Sequence, residues 1–160
     1  MQTLMPLAER VAELLIRRKQ TLAVSESSTG GLVSASLLAV PGASAFFQGG
    51  AVVYTAAART VLLGITEQDM AGLRSASEPY AQLAADRVRA RFGTDWGIAE
   101  TGAAGPAGNR YGDAAGHSCL ALSGPLTRMT TLETGSNDRA GNMRAFAAAL
   151  LEQFAHALAH

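Results

Sequence analysis

Two apolar runs that each empty into a glycine-rich polar loop constrain this chain more than any other feature. The first, Leu22-Ala23-Val24-Ser25-Glu26, leads into Ser27-Ser28-Thr29-Gly30-Gly31 and then into an apolar stretch from Leu32 to Val40. The second, Asp95 to Thr101, leads into the long loop Gly102 to Gly112. Short apolar runs bounded by glycine and alternating with helical patterns read as buried strands of an α/β sheet with helices on both faces. Both loops then fall at the carboxyl edge of that sheet, where open α/β folds bind ligands. The site is expected there. The first loop also opens a helix. Bare backbone N–H groups at a helix start suit phosphate or carboxylate, although the same turn can serve as a simple N-cap.

The rest of the chain fills in around these runs. Leu4, Leu7, Val11, Leu14 and Leu15 recur at helical spacing and predict an amphipathic helix over 3–19, with Arg17, Arg18 and Lys19 in its last turn. A helix over about 30–39 should stop at Pro41-Gly42, followed by a loop over 43–50 and a buried strand over 51–55 ending at Tyr54. Residues 56–63 predict a short helix stopped by Gly64, and Thr66-Glu67-Gln68-Asp69 opens another. Ser77-Glu78-Pro79 is a helix start running to about Arg91 and burying Tyr80, Leu83, Ala84, Val88 and Phe92. Residues 116–123 and 126–134 predict an antiparallel pair turned at Ser123-Gly124-Pro125. Met143 to Leu158 marks a long final helix. Both terminal helices carry full apolar faces, so a single domain over 1–160 is expected.

Composition excludes several classes. The formal net charge is zero, so nothing marks a nucleic-acid surface. There is no apolar run of about 18 residues, and the amino terminus lacks a signal-peptide core, so no membrane partner and a cytoplasmic location are expected. The single cysteine, Cys119, falls in an apolar run and suits a core position. Histidines occur only at 117, 156 and 160, without metal-ligand spacing, so neither a metal nor a cofactor is expected. Trp96 is also read as core. A Ser-His-Asp arrangement would have to recruit His117.

Five stretches, in order and spacing, resemble the CinA carboxy-terminal domain family, which includes nicotinamide mononucleotide deamidase. Ser25-Glu26-Ser27-Ser28-Thr29-Gly30-Gly31 is similar to Ala-Glu-Ser-Cys-Thr-Gly-Gly, and Pro41-Gly42-Ala43-Ser44-Ala45-Phe46-Phe47 to Pro-Gly-Ser-Ser-Ala with aromatics. Val53 to Arg59 falls on Thr-Tyr-Ser-Asn-Glu-Ala-Lys, Ala76 to Pro79 on Val-Ser-Glu-Pro, and Thr101 to Pro106 on Thr/Ser-Gly-Ile-Ala-Gly-Pro. The resemblance covers about residues 8–155. It implies a three-layer α/β/α fold with a mixed, mainly parallel sheet, a homodimer or other homo-oligomer, and a small nucleotide substrate. The implied reaction hydrolyses the carboxamide of nicotinamide mononucleotide to nicotinate mononucleotide and ammonia.

By the same resemblance the catalytic serine falls on Ser44, the tyrosine on Tyr54 and the proton-accepting lysine on Arg59. Substrate would lie against Glu26, Ser27, Ser28, Thr29, Gly30, Gly31, Gly42, Thr101, Gly102 and Gly105. Arg59 is the departure that matters. A serine needs a neighbouring base, and arginine stays protonated in proteins, with a pKa above about 12. Of thirteen basic residues only Lys19 is lysine, and it is expected at the end of the first helix. Three outcomes stay open: an amidohydrolase with altered proton transfer, a non-catalytic relative that binds a nucleotide-like ligand or acts in regulation, or a hydrolase using His117 or Asp113.

Overall fold

The computed structural model describes residues 1–160. After one 3-10 turn at Gln2–Leu4, helix α1 (Met5–Arg18) ends at Lys19, which takes a left-handed conformation, φ 55°. Strand β1 (Leu22–Glu26) is buried along its full length. Helix α2 (Leu32–Leu38) and a 3-10 turn at Ala43–Ala45 lead to β2 (Phe47–Val52). Helices α3 (Ala56–Leu63) and α4 (Glu78–Phe92) precede β3 (Trp96–Ala103), β4 (His117–Ser123) and β5 (Arg128–Glu133), and α5 (Arg139–Ala159) closes the chain.

The five strands lie in the order β2-β1-β3-β4-β5. The β1–β2 and β1–β3 pairs are parallel, whereas β3–β4 and β4–β5 are antiparallel. Four strands therefore point one way and β4 alone runs against them. Leu22, Val24, Trp96, Ile98, Leu120 and Leu122 pack beneath α1, α2 and α5, while Ala23, Ala99, Cys119 and Ala121 face α3 and α4. This is the three-layer α/β/α sandwich. Side chains alternate across a strand, so neighbours on one strand feed opposite cores. No helix is long and apolar enough to cross a membrane.

Ser77 caps α4 as its sequence context predicts, its Oγ accepting from Tyr80 N at 3.3 Å, and Thr55 Oγ1 accepts from Ala58 N at 3.0 Å to start α3. Gly97 has a packing reason as well. A Cβ there would lie 2.2 Å from the Ala85 carbonyl oxygen, so only glycine lets α4 approach the sheet this closely.

Three expectations are corrected. The second strand is β2 at 47–52 and not 51–55, and it forms a half-exposed edge. Gly49-Gly50 resembles a loop in sequence, but the Phe92 ring covers Gly49, where a Cβ would be 2.4 Å from it. That contact leaves Phe92 46% exposed, against the buried position expected. Thr66 to Asp69 does not open a helix. The two residues exchange hydrogen bonds of 2.8 and 3.1 Å, as in a helix start, yet only turns follow before Gly72 at φ 77°.

Candidate functional site

β1 and β3 are parallel neighbours: the chain leaving β1 runs through α2 on one face to β2, and the chain leaving β2 returns through α3 and α4 on the other face to enter β3. A gap opens between their carboxyl ends, as such a switch requires. Two clefts straddle it. The larger, about 260 Å³, is walled by Ser27, Tyr54, Arg59, Ser75, Thr101 and Tyr111. The smaller, about 210 Å³, is walled by Ser28, Arg139 and the small residues of the 102–108 loop. Tyr54, Gly102 and Asn109 belong to both, so the two form one divided site.

Each cleft carries a guanidinium with no carboxylate partner. Arg59 Nη1 donates to Ser75 Oγ at 3.1 Å, and its charge lies 5.6 Å over the Tyr80 ring. Arg139 Nη1 donates to the Gly105 carbonyl at 2.5 Å and Nη2 to the Tyr54 hydroxyl at 3.1 Å. As an acceptor from Arg139, the Tyr54 hydroxyl keeps its own proton free to donate. Ser27 Oγ has no hydrogen-bond partner in the chain, whereas Ser28 Oγ donates to Glu100 Oε1.

Beneath the first loop lie two buried glutamates. Glu26 Oε1 accepts from Gly31 N (3.1 Å), Val33 N (2.9 Å) and Thr29 Oγ1 (2.7 Å), and Oε2 from Ser34 N (2.9 Å). This overturns the anion-site expectation for residues 27–31. The N–H groups at the start of α2 are already filled by a carboxylate of the same chain, which neutralises the helix end itself. Glu100 Oε2 accepts from Ser27 N (3.1 Å), Thr29 N (3.0 Å) and Thr29 Oγ1 (3.1 Å), and Oε1 faces Ser28 Oγ and Ser118 Oγ. Burial pushes the Glu100 carboxyl above the usual range, against the pull of these hydrogen bonds.

Of the expected contact residues, Ser27, Ser28, Thr101, Gly102 and Gly105 line the clefts. Glu26, Thr29, Gly30 and Gly31 lie outside the cleft walls, and Gly42 sits at the other edge of the sheet. So does Ser44. It is exposed in the 3-10 turn before β2, whose first residue Phe47 pairs with Leu22 at the start of β1. Six strand residues at about 3.3 Å each separate it from Tyr54 and Arg59. The structure brings Tyr54 and Arg59 together with Ser27 and Ser28, and leaves Ser44 out. Tyr54 is 62% exposed rather than closing a buried strand. Lys19 lies at that same distant edge and is exposed. Sequence reading missed Glu100, Arg139, Asn109, Ser75 and Tyr111. A lone carboxylate inside the apolar run 96–101 was the available signal for the first.

His117 and Asp113 do meet, at 3.6 Å, outside both clefts. His117 Nδ1 lies 2.5 Å from Glu133 Oε1, and Nε2 lies 2.8 Å from the Ala76 carbonyl. Asp113 takes Arg74 Nη1 at 2.7 Å and Asn109 Nδ2 at 2.8 Å. Two acceptors on two ring nitrogens call for imidazolium, which leaves no lone pair for a proton from substrate. Burial opposes that charge, but the bonds to Glu133 and Ala76 and the field of Asp113 outweigh it and raise the His117 pKa. A raised folded pKa contributes stability that is whole below the ordinary value of about 6.5 and disappears as pH climbs through the folded value. In urea titrations, His117→Gln should therefore destabilise clearly at pH 6 and much less at pH 9. An equal loss at both would refute the charged form.

Comparison with known proteins shows the family and the fold. The family model of the CinA C-terminal domain matches residues 4–158. A CinA-like protein of Gloeobacter violaceus is 43% identical over 131 residues, covering 81% of this chain and 31% of that protein. One from Myxococcus xanthus is 42% identical over 141 residues, covering 86% of this chain and 33% of that protein. The chain thus spans about a third of these relatives. A crystal structure of a competence-damaged protein (CinA) superfamily protein from Klebsiella pneumoniae superimposes with a TM-score of 0.90 at 28% identity, covering 97% of each chain. The competence/damage inducible protein CihA of Agrobacterium tumefaciens gives 0.89 at 26% identity, over 98% of this chain and 96% of that one.

Proposed function

This chain belongs to the CinA C-terminal domain family, and from that premise we propose that its divided cleft binds a pyridine mononucleotide of the nicotinamide mononucleotide type. Its carboxamide is hydrolysed to the carboxylate with release of ammonia. The observation that carries the reading is the pair of guanidiniums without carboxylate partners, Arg59 and Arg139, one in each half of a cleft with a serine hydroxyl in each half.

The larger half suits the ribose phosphate. Arg59, the Ser27 hydroxyl and Ser75 offer charge and donors to phosphate oxygens. The smaller half is walled by alanines and glycines and suits a flat ring, with the carboxamide against Ser28 and its oxygen within the field of Arg139. In this arrangement Arg59 is an anion holder, a role arginine fills better than lysine. The serine of the 27–28 turn takes the place that the family resemblance gives to Ser44.

Purified protein mixed with nicotinamide mononucleotide should melt at higher temperature and release ammonia, and Ser44→Ala should leave both unchanged. Arg59→Ala should weaken binding by about tenfold or more, the effect of one lost charge-assisted contact. Arg59→Lys should retain much of the affinity without raising turnover. A second reading, a binding protein without hydrolysis, is favoured by one observation: no lysine, histidine or carboxylate lines the half that holds Ser27. A rise in melting temperature without ammonia would select it. Neither binding nor ammonia would overturn both.

A further inference from the structure

We propose that Ser28 and Glu100 form a nucleophile–base pair, which supplies the proton acceptor that Arg59 cannot be. The inference rests on the amidohydrolase reading for its substrate, but the pair is defined by its own geometry. Ser28 lines the smaller cleft, and its Oγ donates to Oε1 of Glu100, a buried carboxylate that is not itself part of the cleft wall. A serine at a cleft wall whose hydroxyl is hydrogen-bonded to a carboxylate is the pairing an activated serine needs.

The surroundings of Glu100 suit a base that gains and returns one proton. Its Oε2 is held by two backbone N–H groups, Ser27 at 3.1 Å and Thr29 at 3.0 Å, so that oxygen stays an acceptor. Its Oε1 meets only hydroxyls, Ser28 and, at 3.1 Å, Ser118. Hydroxyls donate or accept, so a proton arriving on Oε1 finds Ser118 Oγ as a partner without rearranging the loop. No charged cation touches Glu100, so nothing holds it in the ionised form against burial. Burial favours the neutral acid and so makes the carboxylate a stronger base than an exposed one.

The step balances within the cleft. As Ser28 Oγ bonds to the carboxamide carbon, its proton passes to Glu100 Oε1 and the C=O electron pair moves onto oxygen, facing the Arg139 guanidinium. Re-formation of C=O breaks the C–N bond, and the nitrogen leaves as ammonia with the proton from Glu100. Water then attacks the ester, giving one proton to Glu100, and the released Ser28 oxygen takes it back. The sum is carboxamide plus water to carboxylic acid plus ammonia.

The test uses a fluorophosphonate, which reports serine activation whatever the natural substrate. The probe should label Ser28, located by fragmentation mass spectrometry, and not Ser27 or Ser44. Glu100→Gln should slow labelling by about a hundredfold or more, the usual range for a lost general base. Labelling of the unaltered protein should fall on acidification as Glu100 is protonated. Labelling at Ser27, no labelling, or an undiminished rate in folded Glu100→Gln would each overturn the pair. If Glu100→Gln does not fold, Ser118→Ala decides: removing a donor from Oε1 should move the acid limb to higher pH, and an unmoved limb overturns the pair. Glu100-dependent labelling of Ser28 in a protein that neither binds nor hydrolyses nicotinamide mononucleotide would uphold the pair and reject the substrate.

Discussion

Replacing Glu26 with alanine should remove about 3–5 kcal/mol of stability, because one side chain is the acceptor for the whole start of α2. Gly31, Val33 and Ser34 lose the partner of their backbone N–H groups, and the Thr29 hydroxyl loses one of its two acceptors. A buried donor left without an acceptor costs about 1–3 kcal/mol. Val33 and Thr29 are sealed from water, whereas Gly31 and Ser34 are half-buried, so solvent recovers only part of the loss. Against a usual total of about 5–15 kcal/mol this is a large fraction. At about 2–4 °C per kcal/mol for a domain of this size, the melting temperature should fall by about 10 °C. Glu26→Gln keeps one acceptor oxygen but turns an NH₂ toward donors, and should fall between the two. Urea denaturation measures it directly. A loss below about 1 kcal/mol in the alanine variant would mean that α2 is held by its apolar face alone.

Trp96→Ala should be comparably damaging for a different reason. Its ring is fully buried at the amino end of β3, edge-on to Phe154 with centroids 5.3 Å apart, and its Nε1 donates to Gln20 Oε1 at 2.9 Å. Gly124 lies so close that a Cβ there would be 2.6 Å from the indole, so the pocket is filled to contact. Emptying it leaves a cavity among α5 and the sheet, and aromatic-to-alanine changes of this kind cost about 3–5 kcal/mol. The denaturant midpoint should drop while the slope stays constant. Because Trp96 lies at the sheet edge opposite the clefts, ligand affinity measured well below the melting point should not change. A loss of affinity without loss of stability would refute this separation of core and site.

The two effects mark the two kinds of knowledge this chain holds. Strand and helix identities were legible where pattern and punctuation agreed: α1, β1, α2, α3, α4, β3, the β4–β5 pair and α5 follow from apolar spacing and from Pro41-Gly42, Gly64 and Ser77 as stops and starts. The placement of both glycine-rich loops at one sheet edge was legible too, since β1 and β3 were read as parallel strands that each end in such a loop. β2 was misplaced because Gly49-Gly50 is loop-like locally, and only the ring of Phe92, more than forty residues away, explains it.

The site divides in the same way. Motif order pointed to the 27–31 and 101–106 loops and to Tyr54 and Arg59, but it put the catalytic serine on Ser44, whereas the serines that line the clefts with Tyr54 include Ser27 and Ser28. Ser44 and Ser27 stand at opposite ends of the sheet, a separation set by the length and direction of β2. Nor could sequence show that Glu26 fills the helix start which looked open, that Glu100 stands behind Ser28, or that Arg139 reaches across to Tyr54 from 85 positions away. Local chemistry, read as spacing, polarity and turn residues, determined the elements and the edge at which they end. Which charges are already satisfied and which face the cleft depends on partners distant in the chain, and only packing brings those within the few ångströms over which hydrogen bonds act.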